Sequence, residues 1–226
     1  MNNFGNNFKI SLFGESHGEF IGVVIDGTPP GLGLEPKDFE YDLLRRKSGR
    51  AGTTPRTESD LPLIVSGCHN GFTTGAPIAV LFENKNIRSG DYDLIQNWPR
   101  PGHADFSTGV KSRGFADLRG GGHHSGRITL ALIAAGVVAK KIIAPVSIEA
   151  RLIEVGGKNP WGDELQSAMA EGDSLGGVVE CVATNMPAGL GEPFFNSVES
   201  LISHIIFAIP GVRGIEFGDG FAAAAM

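Results

Sequence analysis

The stretch SGRITLALIAAGVVAKKII, residues 125–143, predicts one buried helix around which the other elements must pack. Apolar side chains occur on nearly all sides of this helix, which is typical of a central position in a domain. Ser125 is suited to cap its amino end, and Lys140 and Lys141 suit its carboxyl end, where the helix dipole favours positive charge. A second helix is predicted over residues 35–47, with a proline near its first position and basic residues in its last turn.

Four short strands are predicted between the amino terminus and residue 84. Residues 8–12 alternate apolar with polar side chains, and residues 20–27, FIGVVIDG, supply a partner strand after a turn. Residues 61–67 and 76–84 predict two further strands, joined through a segment whose Asn-Gly pair favours a tight hairpin turn. We therefore expect an α+β fold in which short antiparallel strands surround a buried helix pair.

Composition excludes several classes of protein. The chain of 226 residues contains 41% hydrophobic and 19% charged residues, and it lacks an apolar run long enough to span a membrane. Its net charge of -6 argues against a general nucleic-acid binder. Two cysteines without C-x-x-C spacing, and an amino terminus without the pattern of a signal peptide, predict a cytoplasmic protein.

Positive charge is concentrated in the first 127 residues, which hold nine arginines and five of the six histidines. Arginine makes forked contacts with phosphate and carboxylate groups, so this part of the chain is predicted to contain an anion site. The segment LLRRKSGRAGTTPRTESD alone carries Arg45, Arg46, Arg50 and Arg56. A solvated basic helix end is the common explanation of such a segment, but several glycine-flanked arginine loops favour a ligand with more than one anionic group.

Residues 84–124 show little periodicity and many polar groups. Irregular segments of about forty residues inside a compact domain are usually functional or disordered. We expect irregular chain here, with functional residues within it.

The motif GESHG, residues 14–18, matches the G-x-S-x-G pattern of a hydrolase nucleophile elbow, which would make Ser16 the nucleophile. That motif requires a strand, a sharp turn and then a helix, whereas a β-rich segment follows here. The elbow interpretation is therefore disfavoured, and His17 is the better candidate for chemistry. A histidine that is merely hydrogen-bonded in a turn remains the alternative.

The motif RPGHAD, residues 100–105, places His103 in a rigid turn between Arg100 and Asp105. An imidazole with an ordinary pKa near 6.5 can deliver a proton to a leaving oxygen near neutral pH. His103 and Asp105 could also bind a metal, but no H-E-x-x-H or H-x-H set accompanies them, so acid catalysis is favoured and no metal is predicted.

The segment RGGGHHSGR, residues 119–127, is a glycine-rich loop that leads into the predicted central helix. Free backbone N–H groups at such a position bind phosphate, aided by the helix dipole. It matches neither the dinucleotide nor the P-loop motif, so only a general anion site is predicted. The flanking Arg119 and Arg127 favour a ligand over a simple tight connection.

Together these segments resemble the chorismate synthase family. The resemblance rests on FGESHG, RRKSG followed by TTPR, SGCHNGFTTGAPIA, RPGHAD and GGGHHSGRIT, in this order, with GIEFGDGFAAAAM at the end of the chain. No single motif would be specific, but five in order are.

The resemblance implies an enzyme that converts 5-enolpyruvylshikimate 3-phosphate to chorismate and phosphate by an anti-1,4-elimination in the shikimate pathway. It implies reduced FMN as the cofactor, with NADPH as a possible source of the electrons that reduce it. It also implies a β-α-β sandwich, with helices packed between antiparallel sheets, that assembles as a homotetramer.

The resemblance also implies roles for individual residues. His17 would protonate or hydrogen-bond the reduced flavin, and His103 would assist the departing phosphate. The family's flavin-binding segment falls on His124, Ser125 and Gly126. The substrate would be bound by five further residues: Ser16, Arg46, Arg50, Arg100 and Arg127.

Residues 1–226 are expected to form a single chorismate synthase-like domain that lacks the family's carboxyl-terminal part. A truncated, inactive remnant that binds anions or oligomerises is therefore a second hypothesis. A metal-dependent phosphohydrolase that uses His103, Asp105 and the His123–His124 pair is a third, weaker one.

Overall fold

Among the described residues before position 84 there are seven short strands, and five of them form one antiparallel sheet. The computed structural model describes residues 2–49, 51–53, 58–85 and 98–226. The strands are β1 (Asn3–Phe4), β2 (Lys9–Gly14), β3 (Phe20–Asp26), β4 (Leu63–Ser66), β5 (Cys68–His69), β6 (Phe72–Thr73) and β7 (Ile78–Glu83). The large sheet has the order β1-β2-β3-β7-β4, and β5 pairs with β6 as a separate two-stranded hairpin. The four longer strands of this sheet agree with the predicted ones.

The register of this sheet brings two distant segments to the same edge. Strand β2 pairs with β3 as far as Gly14 opposite Ile21, so the residues between them form a tight turn. Strand β3 in turn pairs with β7, with Phe20 opposite Glu83. The residue that follows β7, Asn84, therefore lies beside the turn between β2 and β3.

The helices of this part of the chain are α1 (Glu40–Arg46), α2 (Asp105–Lys111) and α3 (Thr129–Ile142), with 3-10 turns over Pro36–Phe39, Arg119–His124 and Gly126–Ile128. Helix α3 packs on the large sheet, and α1 packs on α3. Helix α2 lies inside the segment for which we expected irregular chain, so that expectation was wrong for its residues. About two turns of helix form there, closed by local bonds such as Thr108 N–H to Ala104 O at 2.8 Å.

Helix α3 is the buried helix predicted from residues 125–143. Its inward residues, Leu130, Ala131, Ala134 and Val138, are completely buried against the sheet. The hydroxyl of Ser125 accepts the backbone N–H of Arg127 at 3.3 Å, so this residue caps the 3-10 turn ahead of α3.

Lysines at the carboxyl end of α3 bind acidic residues near α1. Lys140 forms an ion pair with Asp42, and Lys141 binds Asp38 at 3.0 Å. These contacts and the burial of Leu43 of α1 attach the two helices to each other. The α+β class, with helices on an antiparallel sheet, is confirmed.

A further two-stranded sheet follows α3 in the chain. It consists of β8 (Ser147–Val155) and β9 (Gly177–Thr184), which are connected through α4 (Gly162–Glu171) and pair antiparallel. None of the helices in the ranges that the structure describes reaches the length and apolarity of a membrane span.

Residues up to Met186 form one compact unit, and Pro187–Met226 form another. The second unit contains a 3-10 turn at Phe194–Asn196, helix α5 (Val198–Ile206) and a 3-10 turn at Gly220–Ala225. Ser197 caps α5 by accepting the N–H of Ser200 at 3.2 Å. The single domain over residues 1–226 stays a prediction.

Replacing Leu130 with alanine tests the central position of α3. Leu130 is fully buried, so we expect Leu130→Ala to lower the free energy of unfolding by about 2–5 kcal/mol, because it leaves a cavity at the sheet. Leu63→Ala is the matched control, since Leu63 is 53% exposed and its loss should cost less than about 0.5 kcal/mol. Chemical denaturation measures both, and equal effects would contradict a central α3.

Candidate active site

The GESHG motif forms the turn between β2 and β3, and it places two polar side chains in the interior. Ser16 and His17 are 2% and 4% exposed, although a turn at the end of a hairpin is normally solvated. A strand, β3, follows the turn, so the strand-turn-helix arrangement of a nucleophile elbow is absent at this motif. The turn therefore directs Ser16 and His17 toward other parts of the protein.

The glycine-rich loop at residues 120–122 covers this turn. A Cβ atom added to Gly120 would lie 2.6 Å from the imidazole of His17 and 2.8 Å from the hydroxyl of Ser16. A Cβ atom on Gly121 would lie 3.0 Å from the ring of His103. The loop thus contacts both histidines, and an added side chain would crowd them, most severely at Gly120.

Backbone conformation requires the same glycines. Gly120, Gly121 and Gly122 have φ values of 60°, 87° and 54°, in the left-handed region where a side chain is disfavoured. The carbonyl of Gly122 accepts the N–H of Ser16 at 3.0 Å, and a ring nitrogen of His123 lies 2.7 Å from the carbonyl oxygen of Gly14. Two contacts with the backbone of the GESHG turn, one from the Gly122 carbonyl and one from the His123 side chain, therefore attach the loop to the turn.

His103 belongs to a carboxylate-histidine pair. Its Nδ1 lies 2.7 Å from Oδ1 of Asp105, whose side chain is 1% exposed, whereas the His103 side chain is 32% exposed. Arg100 donates from Nε to Oδ2 of Asp105 at 2.8 Å and from a terminal nitrogen to Oδ1 at 2.9 Å. The buried carboxylate is therefore held by a forked arginine contact and presents one oxygen to the imidazole.

These contacts lower the pKa of Asp105 to about 2, because its hydrogen bonds from Arg100 favour the ionised form more than burial opposes it. Asp105 is consequently negative at every physiological pH. An ionised carboxylate 2.7 Å from Nδ1 orients the imidazole of His103.

Arg127 lies in a buried network. Its Nε donates to Oδ1 of Asn84 at 2.7 Å, and a terminal nitrogen donates to Oδ1 of Asp60 at 2.6 Å. A further contact, at 3.4 Å, goes to the backbone carbonyl of Glu83. Desolvation of a guanidinium is costly unless it is paired in this way, so the network also secures the start of α3.

Arg46, the last residue of α1, shares Asp60 with Arg127. It lies 3.6 Å from the other carboxylate oxygen of Asp60 and donates to the backbone carbonyl of Gly126 at 3.1 Å. Its buried Nε has no hydrogen-bond partner among the residues that the structure describes. Burial lowers the pKa of Arg46, Asp60 opposes this shift, and the positive charge of Arg127 adds to it.

These residues line an open cleft of about 480 Å³. This volume lies in the range of small-molecule sites, about 300–1,000 Å³. The lining residues are polar or glycine, and they are Ser16, Arg46, Lys47, Ser48, Glu58, Asp60, Gly120, Ser125, Gly126, Arg127 and Thr129. The lining carries two arginines and a lysine but only two carboxylates, so positive charge is in excess and the cleft suits an anionic ligand.

Most of the predicted site residues meet around the glycine loop and this cleft. Ser16, Arg46, Ser125, Gly126 and Arg127 line the cleft.

His17 contacts the loop at Gly120 and His103 contacts it at Gly121, with Arg100 bound to the Asp105 carboxylate beside His103. His124 is exposed, and burial of part of its ring together with the charges of His123, Lys111 and His103 lowers its pKa. Arg50 lies outside the described residues.

Arg119 does not join the cleft lining. It donates to both carboxylate oxygens of Asp117, at 2.8 Å and 2.7 Å, and its side chain is 46% exposed. These hydrogen bonds from Arg119 are the main cause that lowers the pKa of Asp117, and the charge of His17 adds to the effect. Asp117 is therefore a negative group close to His17.

Sequence reasoning missed three residues of this site: Asp60, Asn84 and Asp117. Asp60 has a φ of 49° and binds two arginines that are 81 positions apart in the chain. No motif marks any of the three. Their only signal is the position of Asn84 at the end of a predicted strand and of Asp117 just before the glycine loop.

The described part of the chain contains no group of three histidine, cysteine or acidic residues arranged to hold a metal ion. The hypothesis of a phosphohydrolase that uses His103, Asp105, His123 and His124 therefore has no geometric support in those ranges.

Comparison with known proteins shows the family of this chain. The sequence model of the family described as chorismate synthase matches residues 8–226. A chorismate synthase of Chitinophaga pinensis is 58% identical over 227 residues, which cover 100% of this chain and 68% of that protein. One of Pyrococcus abyssi is 42% identical over 97% of this chain and 69% of its own length.

Similarity extends to three dimensions. A crystal structure of chorismate synthase superimposes with a TM-score of 0.77 at 25% sequence identity, over 97% of this chain and 70% of that one. The α+β fold and the site thus define a carbon–oxygen lyase that acts on a phosphate ester. The chain belongs to the chorismate synthase family, whose members act on a small-molecule substrate with a reduced flavin.

Alanine at position 120 tests the fit of the glycine loop. Gly120→Ala introduces a Cβ at positive φ and 2.6 Å from His17, so we expect unfolding free energy to fall by about 1–3 kcal/mol. Gly136→Ala is the control, because nothing lies within 4 Å of its added Cβ in α3 and it should stabilise by up to about 1 kcal/mol. An unchanged stability of Gly120→Ala in chemical denaturation would contradict this contact.

Acid titration of stability tests the Asp105 pair. Because the folded pKa of about 2 lies below the ordinary 3.8, the stabilisation is complete above about pH 4 and is lost as the pH falls toward 2. We expect Asp105→Asn to abolish about 2 kcal/mol of this pH-dependent loss.

Unfolding measured between pH 5 and pH 2 gives the comparison. The exposed Asp163 in the first turn of α4 supplies the control variant, Asp163→Asn, which should keep the wild-type profile. A profile of Asp105→Asn parallel to that of the wild type would contradict the pairing.

Proposed function

We propose that this chain catalyses the anti-1,4-elimination of phosphate from 5-enolpyruvylshikimate 3-phosphate to give chorismate, with the cleft beside the glycine loop as its active site. In this reaction the C–O bond to phosphate breaks and a proton leaves C6, so substrate and product have the same oxidation level. The observation that carries the proposal is the contact of one loop, at Gly120 and Gly121, with both His17 and His103.

The charge of the cleft supports a substrate with a phosphate and carboxylates. Arg46 lines the cleft with a buried Nε that has no partner among the described residues, and Lys47 lies next to it. A guanidinium in this state gains a charge-assisted hydrogen bond when an anion arrives. Arg46 is thus the main anion ligand, and Arg127 stabilises the same wall through Asp60. Arg50 and Arg100 complete the proposed substrate set with Ser16.

The leaving phosphate receives help from His103. Asp105 lies at Nδ1 of the imidazole, and we assign to Nε2 the proton or hydrogen bond that the departing oxygen receives. Asp105 orients the imidazole, as a carboxylate does in other catalytic pairs. Arg100, which binds the same carboxylate, keeps this pair rigid.

His17 is the second histidine that contacts the glycine loop. It is buried in the GESHG turn against Gly120, and the negative Asp117 lies nearby. A buried imidazole close to a carboxylate is suited to hold a proton at a fixed position. We assign it the proton or hydrogen bond to the cofactor.

The cofactor of the proposal is reduced FMN, which supplies electron density to the substrate while phosphate departs. Ser125 and Gly126 lie on the cleft and fit the polar edge of a flavin, and the exposed His124 lies next to them. The lining residues of the cleft include no aliphatic or aromatic side chain, so the residues present fit the polar edge and the phosphate of FMN.

Three further parts of the proposal rest on family membership alone. They are a homotetrameric assembly, a cytoplasmic location and the use of NADPH as the source of electrons. An inactive remnant is not favoured, because the family model matches residues 8–226 and a crystal structure of chorismate synthase superimposes with a TM-score of 0.77.

The test is an assay of chorismate formation and phosphate release with chemically reduced FMN under anaerobic conditions. We expect His17→Ala and His103→Ala each to lower kcat by about 10²- to 10⁴-fold, the range for a positioned proton donor. His69→Ala, which alters an exposed histidine on β5, is the control and should keep wild-type turnover.

Phosphate release without a requirement for reduced flavin would overturn the proposed reaction. Wild-type rates in both histidine variants would overturn the assigned roles while leaving the reaction in place.

A further inference from the structure

Asn84 is a buried polar residue to which the reaction assigns no part. It follows β7 directly and is 6% exposed. Its side-chain nitrogen donates to the carbonyl of Gly18 at 2.8 Å and to that of Glu15 at 3.2 Å. Its side-chain oxygen accepts Nε of Arg127 at 2.7 Å. All hydrogen-bonding atoms of one amide are thus used between the GESHG turn and the arginine network.

The two acceptors of the amide lie on either side of Ser16 and His17. Glu15 precedes them and Gly18 follows them, and Gly18 N–H also closes the turn onto Glu15 O at 3.0 Å. An N–H donor to each flanking carbonyl fixes the direction of both peptide groups, and therefore the direction in which the two side chains leave the turn.

We propose that Asn84 is a positioning residue that clamps the turn carrying His17 and couples it to Arg127. This inference rests on the proposed function, because it matters for turnover only if His17 acts in the reaction. The backbone of Asn84 is itself fixed, since its N–H donates to Glu19 O at 3.0 Å and the register of β3 with β7 sets its place.

Only a side-chain amide of this length performs the role. The site requires two N–H donors and one acceptor from a single planar group, which asparagine supplies and aspartate does not. Aspartate would still accept from Arg127, but it would oppose two carbonyl oxygens with a negative oxygen. Asn84→Asp therefore removes the clamp while keeping the contact that anchors Arg127.

Asn84 links the turn that carries His17 to the two arginines of the cleft. Arg127 and Arg46 share Asp60, so both guanidinium groups on the cleft wall are linked to the amide of Asn84. The two arginines of the cleft and the turn that carries His17 are thereby joined through one side chain. Loss of the amide donors should disturb this turn and leave both arginines in place.

The experiment compares Asn84→Asp with the wild-type chain. We expect kcat to fall by about 10- to 100-fold while KM for the substrate changes less than about 3-fold, because a displaced proton donor slows the chemical step and the anion ligands remain. Hydrogen exchange should accelerate in residues 14–19 and stay unchanged in β7 and α3.

Asn185→Asp is the matched control. Asn185 also donates its side-chain amide to a backbone carbonyl, that of Pro145 at 3.3 Å, but on an exposed surface. This variant should keep wild-type kcat, KM and exchange in residues 14–19.

A second measurement on the wild-type chain needs no variant and no flavin. In nuclear magnetic resonance spectra, the two side-chain amide protons of Asn84 should exchange slowly with solvent, whereas those of Asn185 exchange fast. Fast exchange at Asn84 would overturn the clamp.

Other outcomes also decide the matter. Unchanged kcat and unchanged exchange at residues 14–19 in Asn84→Asp would overturn the inference. Faster exchange throughout the sheet, with kcat and KM altered together, would likewise overturn it by showing a general structural role. If the wild-type chain forms no chorismate, the proposed function fails, while the two exchange measurements still decide whether Asn84 clamps the turn.

Discussion

The site depends on the absence of side chains at Gly120, Gly121 and Gly122. The loop lies so close to the two histidines that a methyl group at Gly120 would overlap the imidazole of His17, and one at Gly121 would lie only 3.0 Å from the ring of His103. The third glycine is equally constrained, since its added Cβ would lie 1.9 Å from the carbonyl oxygen of Asp117. Close packing of a backbone between two histidines is what brings motifs 86 positions apart into one site.

Internal ion pairs prepare the cations of the site before any ligand binds. Asp60 holds Arg46 and Arg127, and Asp105 holds Arg100 and His103. Asp60 reduces the repulsion between the two guanidinium groups that it binds. The pKa of Arg46 is nevertheless lowered, which shows that burial and Arg127 outweigh Asp60 there. An anionic ligand would offset this unfavourable balance, so the cleft is suited to bind one.

Much of the fold was predictable from local patterns. The strands β2, β3, β4 and β7 and the buried helix α3 follow from alternation and from an apolar run, because burial on one or all sides repeats with the period of each element. Helix α2 was missed because the segment RPGHADFSTG contains proline and glycine and shows no clear apolar period. The candidate residues His17, His103 and Arg46 were found because glycine and charge mark their motifs.

The sequence by itself determined the elements, the glycine positions that left-handed backbone requires, and the excess of arginine and histidine in the first 127 residues. Only the tertiary structure decided which of these groups meet. The pairing of β3 with β7 placed Asn84 beside the GESHG turn, and Asp60 reached two arginines from separate helices. The physical reason is that hydrogen bonds and ion pairs act over about 3 Å in space, whereas residues that form them here are up to 109 positions apart in the chain.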